Sequence, residues 1–379
     1  MANRAIKYRV YPTSEQAELF AKTFGCCRKV YNLMLADRIK AYKETGSFGK
    51  QTPAMYKKEY PYLKEIDSLA LANVQLNLQQ AFSNCFDKKR KKCNGFPKFK
   101  SKRRSKKTYT TNNQKGTVAV TDNGIRLPKV GVVKAKLHRL PKEDWTVKSA
   151  TVSQDRCGNY YVSVLFDYDS NVEQIAPSAD KVLGLDMSVP HLYVDNDGNK
   201  GSDTKFYKSA MSRLAREQRK LSHMRGSRKG EAKSSNWRKQ NAKVNRIHRH
   251  IADKRLDYLH KKSKELADTY DVIGIEDILV SEVLEHRDVK CYHRCVLDNG
   301  WGIFVSLLDY KLADRGKRLV RVDRNYPSTQ TCSSCGYINR RLADDSIRKW
   351  ECPECGAKHD RDVNAAINIH NETVRIVFA

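Results

Sequence analysis

Four cysteines, Cys332-Ser-Ser-Cys335 and Cys352-Pro-Glu-Cys355, form two Cys-x-x-Cys pairs with sixteen residues between them. Each pair can grip a tetrahedral zinc from a tight knuckle, and the gap suits a zinc ribbon. Gly336 and Gly356, directly after the second cysteine of each pair, permit the backbone to curl around a metal. With all four positions filled by protein and none open to water or substrate, the expected role of zinc is structural. Four unrelated reduced thiols would be the plain alternative, and the regular spacing argues against it.

Seven residues beyond Cys355 stands Asp362, within His359-Asp360-Arg361-Asp362-Val363-Asn364-Ala365-Ala366. Two more acids end short apolar runs, Asp186 in Val182-Leu-Gly-Leu-Asp186 and Glu276 in Val272-Ile-Gly-Ile-Glu276. Such runs predict buried strands, and the ends of strands are where open α/β sheets place ligands. Two divalent ions held about 4 Å apart need several carboxylates converging from different elements, one of them shared. Magnesium is then kept by one or two carboxylates each, with waters and a substrate phosphate. The chemistry would be in-line attack on a phosphodiester, one ion activating water and the other neutralising the leaving 3′ oxygen. Singly, each acid has a plainer reading: Asp186 as a loop acid, Glu276 as a surface residue beside Asp277, and Asp362 as the N-cap of a helix over 363–369.

The elements that must position these residues sit in a strongly basic chain. Its 379 residues carry 72 Lys plus Arg against 43 Asp plus Glu, a net charge of +29. That length predicts two or three domains, and the charge points to a polyanionic partner, most simply a nucleic acid. No stretch approaches about 18 consecutive apolar residues, which argues against a membrane, and the opening Met-Ala-Asn-Arg-Ala-Ile-Lys lacks the apolar core of a signal peptide. Eleven cysteines, an odd number, with two metal knuckles fit a reducing cytoplasm.

Ile6, Tyr8 and Val10 alternate with Lys7, Arg9 and Tyr11 as in a half-buried strand ended by Pro12. Thr13 and Gln16 then predict a capping box, and the chain reads helical to about Cys93, with Leu71, Val74, Leu78, Phe82 and Cys85 on one face. The basic run 88–92 follows, and after it Gly95-Phe-Pro-Lys-Phe-Lys-Ser-Lys-Arg-Arg104. Here Phe96, Lys98, Phe99, Lys100, Arg103 and Arg104 interleave rings with cations, suited to phosphates and stacked bases. Residues 108–168 read as short strands with turns at Asp122-Asn-Gly124 and Cys157-Gly-Asn159, predicting a small barrel or sheet completed by the first strand. Residues 180–330 read as α/β. Within them, positions 205–262 hold nineteen Lys or Arg and four Asp or Glu. Val244, Ile247, Ile251 and Leu259 give that stretch one apolar face, predicting paired basic helices that include Arg238, Lys239, Lys243 and Arg246. Trp301, Phe304, Leu308 and Leu312 predict a further helix, leading through Gly316 to the strand Arg318-Leu-Val-Arg-Val322.

These residues together resemble the TnpB family, transposon-encoded RNA-guided nucleases related to the type V CRISPR effectors. The resemblance spans essentially the whole chain. It runs through Tyr8-Arg-Val-Tyr-Pro12 with Gln16, Gly25, Arg28, Val30-Tyr-Asn32, Gly95-Phe-Pro-Lys-Phe-Lys100, Gly184-Leu-Asp186, Gly274-Ile-Glu-Asp277 and Tyr326-Pro-Ser-Thr-Gln-Thr-Cys332. It closes on Asp360-Arg-Asp-Val-Asn-Ala-Ala-Ile-Asn368, the most specific block.

The resemblance implies a multidomain α/β fold. An RNase-H-like RuvC domain would occupy 179–325 and 358–379, with a zinc-ribbon target-nucleic-acid-binding insert at 326–357. A wedge-like β-barrel would occupy 1–12 and 106–178, and a helical recognition lobe 13–105. It implies Asp186, Glu276 and Asp362 as the acids for two magnesium ions, or manganese, with Asp362 preferred to Asp360 because the family's acid stands just before the x-Asn-Ala step. Structural zinc would sit on Cys332, Cys335, Cys352 and Cys355. The implied partners are a guide RNA from the transposon end, one per monomer, and target double-stranded DNA cut beside a short adjacent motif; the implied location is a prokaryotic cytoplasm, at the nucleoid when on DNA. One departure is Ser188, followed by Val189-Pro190, where the family usually has glycine two residues after the first acid. The competing expectations are a guide-dependent DNA-binding repressor that does not cut, and a transposase or transposase accessory protein.

Overall fold

A computed structural model describes residues 2–49, 51–87, 95–169, 172–189, 191–201, 205–228, 230–278, 283–284, 290–344 and 346–379, apart from the side chains of 290 and 291. The basic run 88–92 and Pro190 lie outside the described residues. The fold is mixed α/β, in two compact units, Met1–Ser170 and Asn171–Ala379.

In the first unit, β1 (Ala2–Tyr11) buries Ile6, Tyr8 and Val10 and exposes the residues between them, as the alternation predicts. The capping box forms: Thr13 and Gln16 exchange side-chain to backbone hydrogen bonds of 3.1 and 3.3 Å, starting α1 (Ser14–Thr45). Two short 3₁₀ turns, Pro53–Lys57 and Pro61–Lys64, lead to α2 (Ser68–Phe86). Six more strands follow: β2 (Lys107–Asn112), β3 (Ala119–Thr121), β4 (Gly124–Leu127), β5 (Gly131–Lys136), β6 (Thr146–Gln154) and β7 (Tyr160–Tyr168). They join β1 in one antiparallel sheet ordered β2-β6-β7-β1-β5-β4-β3, with β2 and β3 at its edges. Helices and sheet share one core, where Phe20 and Phe24 of α1 meet Tyr109 of β2.

The second unit is built on β8 (Val182–Asp186), β9 (Val194–Asp195), β10 (Val272–Glu276) and β11 (Arg318–Val322), ordered β11-β10-β8-β9. β8, β10 and β11 are parallel and β9 is antiparallel to β8. The crossover from β8 to β10 carries α3 (Phe206–Ser222) and α4 (Ser235–Thr269), and the one from β10 to β11 carries α5 (Lys290–Asn299) and α6 (Trp301–Ala313). β12 (Lys349–Glu351) and β13 (Lys358–Asp360) form a separate hairpin, and α7 (Arg361–Phe378) returns to the main sheet.

Strand alternation explains how this sheet is covered. Leu183 and Leu185 of β8, with Ile273 and Ile275 of β10, join Leu259, Leu266, Phe304, Leu308 and Leu312 in one core. Gly184 and Gly274, a residue out of phase, face α7. A Cβ on Gly184 would stand 2.4 Å from the Ala366 carbonyl oxygen, and one on Gly274 would stand 1.8 Å from the Thr373 hydroxyl. Glycine at both strand centres therefore lets the Ala365/Ala366 face of α7 lie directly on the sheet.

Candidate functional site

Asp186 and Glu276 belong to the same phase as the two glycines, so their strands aim both acids at the side that α7 covers. Gly184 pairs in register with Gly274 and Leu185 with Ile275, which puts the two acids one step further on, at the same end of adjacent parallel strands. Neither is a loose surface acid. Asp186 is 8% exposed, and burial, aided by the nearby Asp362 and Glu276 carboxylates, pushes its carboxyl well above the usual range. Burial pushes Glu276 up to about 6. Neighbouring Asp277 turns elsewhere, to Arg321 and Arg324.

The N-terminus of α7 brings in the third acid. Asp360, and not Asp362, is the N-cap: its carboxylate accepts from the backbone N–H groups of Asp362 at 3.1 Å and Val363 at 3.4 Å. That frees the Asp362 side chain. Its Oδ1 accepts from Arg348 Nη1 at 2.9 Å and its Oδ2 from the Ser188 hydroxyl at 2.8 Å. Asp186, Ser188, Arg348, Arg361 and Asp362 line a pocket of about 170 Å³. Asp186 and Asp362 share this pocket, Glu276 ends the adjoining strand close enough for its charge to raise Asp186, and the Arg348 and Arg361 guanidiniums act in the opposite sense. An all-oxygen donor set of this kind fits a hard divalent cation such as Mg²⁺ or Mn²⁺.

The cysteines converge more tightly. The four sulfurs lie within 4.8 Å of one another, the one such group of three or more among the described residues. The two knuckles are copies of each other. Cys332 N–H bonds the Tyr337 carbonyl at 2.8 Å and Gly336 N–H bonds the Cys332 carbonyl at 2.8 Å; Cys352 and Gly356 make the same pair at 2.8 and 2.9 Å. Gly336 and Gly356 have φ of 80° and 71°, the left-handed region where a side chain is strained. Four thiolates at this separation fit one tetrahedral zinc.

Sequence reasoning missed the side chains that join the two sites. Asn364 and Asn368, one turn apart on α7, both donate to the Thr331 carbonyl, at 2.8 and 2.7 Å, and Asn364 accepts from Ser333 N–H at 2.9 Å. They staple the first knuckle to the helix that carries Asp362, and their i, i+4 spacing was the available signal. Arg348, at the edge of the ribbon hairpin, and His359, whose Nε2 lies 3.1 Å from Cys332 Sγ, gave no signal of their own. Because the ribbon has little core apart from its metal, replacing Cys352 by Ser is expected to lower zinc from about one ion per chain to well under half and to loosen α7 through Asn364. Elemental analysis of freshly purified parent finding under half an equivalent would count against a dedicated zinc site.

The cations proposed to grip nucleic acid lie outside this constellation. Arg238, Lys239, Lys243 and Arg246 are exposed on α4, opposite the buried Val244, Ile247 and Ile251 that pack on Leu214 of α3. Arg213, Arg216, Arg219 and Lys220 line a basic groove along α3. In the first unit Lys98, Phe99, Arg103 and Arg104 are exposed. Two residues of that segment are partly engaged by the fold: Phe96 packs edge-on against Phe82, and the Lys100 amine lies 3.8 Å from the centre of the Tyr31 ring.

Comparison with known proteins agrees with a mixed α/β fold. A family described as "Cas12f1-like, TNB domain" matches residues 301–369, one described as "Probable transposase" matches 165–287, and one described as "Helix-turn-helix domain" matches 1–47. In this chain the last span is a strand and one long helix. A Streptomyces pristinaespiralis protein named "Putative RNA-guided DNA endonuclease" is 34% identical over 97% of this chain and 88% of its own length. The Escherichia coli (strain K12) protein "Putative RNA-guided DNA endonuclease InsQ" is 31% identical over 97% of this chain and 91% of its own. Among solved structures, a chain of a "Cas12f1-sgRNA-target DNA complex" has a similar fold, with a TM-score of 0.51 at 14% identity over 98% of this chain and 99% of that one. This chain belongs to the TnpB family. No described helix is long and apolar enough to cross a membrane.

Proposed function

We propose that this protein is an RNA-guided DNA endonuclease that hydrolyses phosphodiester bonds at Asp186, Glu276 and Asp362 with two divalent cations, Mg²⁺ or Mn²⁺. The observation that carries the reading is the in-register ending of β8 and β10 on acids, with the first turn of α7 supplying a third. Ions held there would activate a water for in-line attack and neutralise the leaving 3′ oxygen. Burial raises both strand acids, Glu276 to about 6, and a cation held between them would favour their ionised forms. That Asp360 takes the capping role, leaving the Asp362 carboxylate to other partners, supports this choice of third acid.

Under this reading, the sheet and helices of 179–325 and 358–379 form an RNase-H-like RuvC nuclease, and 326–357 its zinc-bearing target-nucleic-acid-binding insert. The sheet of 1–12 and 106–178 acts as the wedge and the helices of 13–105 as the recognition lobe. A guide RNA from the transposon end supplies sequence by pairing with one strand of target double-stranded DNA, while protein cations hold backbone and shape. The names of the relatives matched over most of their length support RNA guidance and DNA cleavage.

The exposed α4 cations should act on phosphates, and so without regard to sequence. Replacing Arg238, Lys239, Lys243 and Arg246 together by Gln is expected to weaken binding to all targets alike and to flatten its salt dependence by about 0.9 in log–log slope per lost phosphate contact. An unchanged slope, or a changed adjacent motif, would contradict a backbone role. For the function itself, the protein purified from its native locus should carry RNA from the transposon end. Ribonuclease treatment should abolish specific DNA binding; specific binding that survives it would favour a transposase acting on DNA ends directly.

A further inference from the structure

We infer that Ser188 is a positioning residue for Asp362, an inference that rests on the reading of Asp362 as a metal ligand. Its hydroxyl holds Asp362 Oδ2 at 2.8 Å and leaves Oδ1 as the oxygen available to a divalent cation.

The two partners of Asp362 differ in kind. Arg348, on Oδ1, has a side chain 55% exposed, so its guanidinium can exchange with solvent, phosphate or metal at little cost. Ser188, on Oδ2, is 4% exposed and carries its hydroxyl on a short side chain with χ1 alone to turn, so it is far less free than Arg348. Its backbone is itself fixed. The buried Asn299 amide donates to the Ser188 carbonyl at 3.2 Å and the His191 carbonyl at 3.1 Å, and the Trp301 indole N–H donates to the Leu192 carbonyl at 3.0 Å. The junction of α5 and α6 thus clamps the loop after β8, and the loop presents one hydroxyl to the carboxylate on α7. A glycine at this position could offer Asp362 no such bond. Partners that orient a ligating carboxylate generally change metal affinity or activity by about 10–100-fold when lost.

The test uses the full chain bound to its RNA, comparing the parent with Ser188→Ala, Ser188→Gly and Asp362→Ala. Mn²⁺ affinity is read by electron paramagnetic resonance, alongside thermal melting and guided DNA binding. Both Ser188 variants should weaken Mn²⁺ binding by about 10–100-fold and raise the metal concentration for half-maximal cleavage in step, with DNA binding unchanged. Having two variants, one needing no more room than the other, guards against a folding defect in either. Mn²⁺ affinity unchanged in Ser188→Gly but lost in Asp362→Ala would overturn the role of Ser188 and leave the metal site standing. Affinity unchanged in Asp362→Ala would overturn the metal-site reading itself.

Discussion

Asp186→Asn should bind guide-matched DNA as the parent does, and cut it slower by more than the 10–100-fold or so that loss of a supporting residue costs a metal site. Under the proposed reading the acids hold metal and not the duplex, so binding and cutting should separate. Glu276→Gln should behave alike. A stability gain accompanies the loss. Asp186 is an acid whose folded-state pKa is raised by burial and by two neighbouring carboxylates. The metal-free folded protein therefore holds protons more tightly than the unfolded chain, and its stability falls as pH rises. For Glu276 that fall spans the window from about 4.3, the unfolded value, to about 6. In chelator at pH 8, Asp186→Asn should melt above the parent, and added Mg²⁺ should raise the parent more than the variant. Parental cleavage by Asp186→Asn would remove this residue from the site.

Gly184→Val should also be inactive, though it touches no acid. Its Cβ would stand 2.4 Å from the Ala366 carbonyl oxygen and 2.5 Å from the His370 amide nitrogen, both backbone atoms, so α7 must move away from β8. Overpacking of this kind costs about 1–3 kcal/mol. A displacement of about 1 Å at a reacting centre costs on the order of 10²-fold in rate. Because Asn364 and Asn368 bind α7 to the first cysteine knuckle, zinc should stay bound while Asp362 is displaced. Full activity in Gly184→Val would mean that close packing of α7 on the sheet does not set the geometry of the acids.

Much of this arrangement was legible in the chain. Val-Leu-Gly-Leu-Asp and Val-Ile-Gly-Ile-Glu are two copies of one pattern, and two parallel strands of one pattern in one register must end side by side. The cysteine spacing stated a ribbon outright. Two features were hidden because they depend on long-range packing. Periodicity does not say that glycine at a strand centre is there for a helix, because that helix begins only at Arg361, far down the chain from Gly184 and Gly274. In the sequence Ser188 is only a departure two residues after the first acid, and its contact with a residue on another element is what suggests a supporting role. Arg348 is one arginine among many in a basic chain, and composition cannot single it out. In the sequence only resemblance separates Asp362 from Asp360; in the fold Asp360 is occupied by its capping bonds, which leaves the Asp362 side chain to other partners.

The most direct measurement is cleavage of linear double-stranded DNA by the RNA-bound protein in Mg²⁺, with the guide segment of the RNA rewritten to match a second target. The account predicts that cutting moves to the new target beside the same adjacent motif, that chelation stops it, and that Asp186→Asn binds the new target without cutting. Guided binding at the rewritten target with no cutting in Mg²⁺ or Mn²⁺ would contradict the nuclease assignment, and cutting that ignores the rewritten guide would contradict RNA guidance.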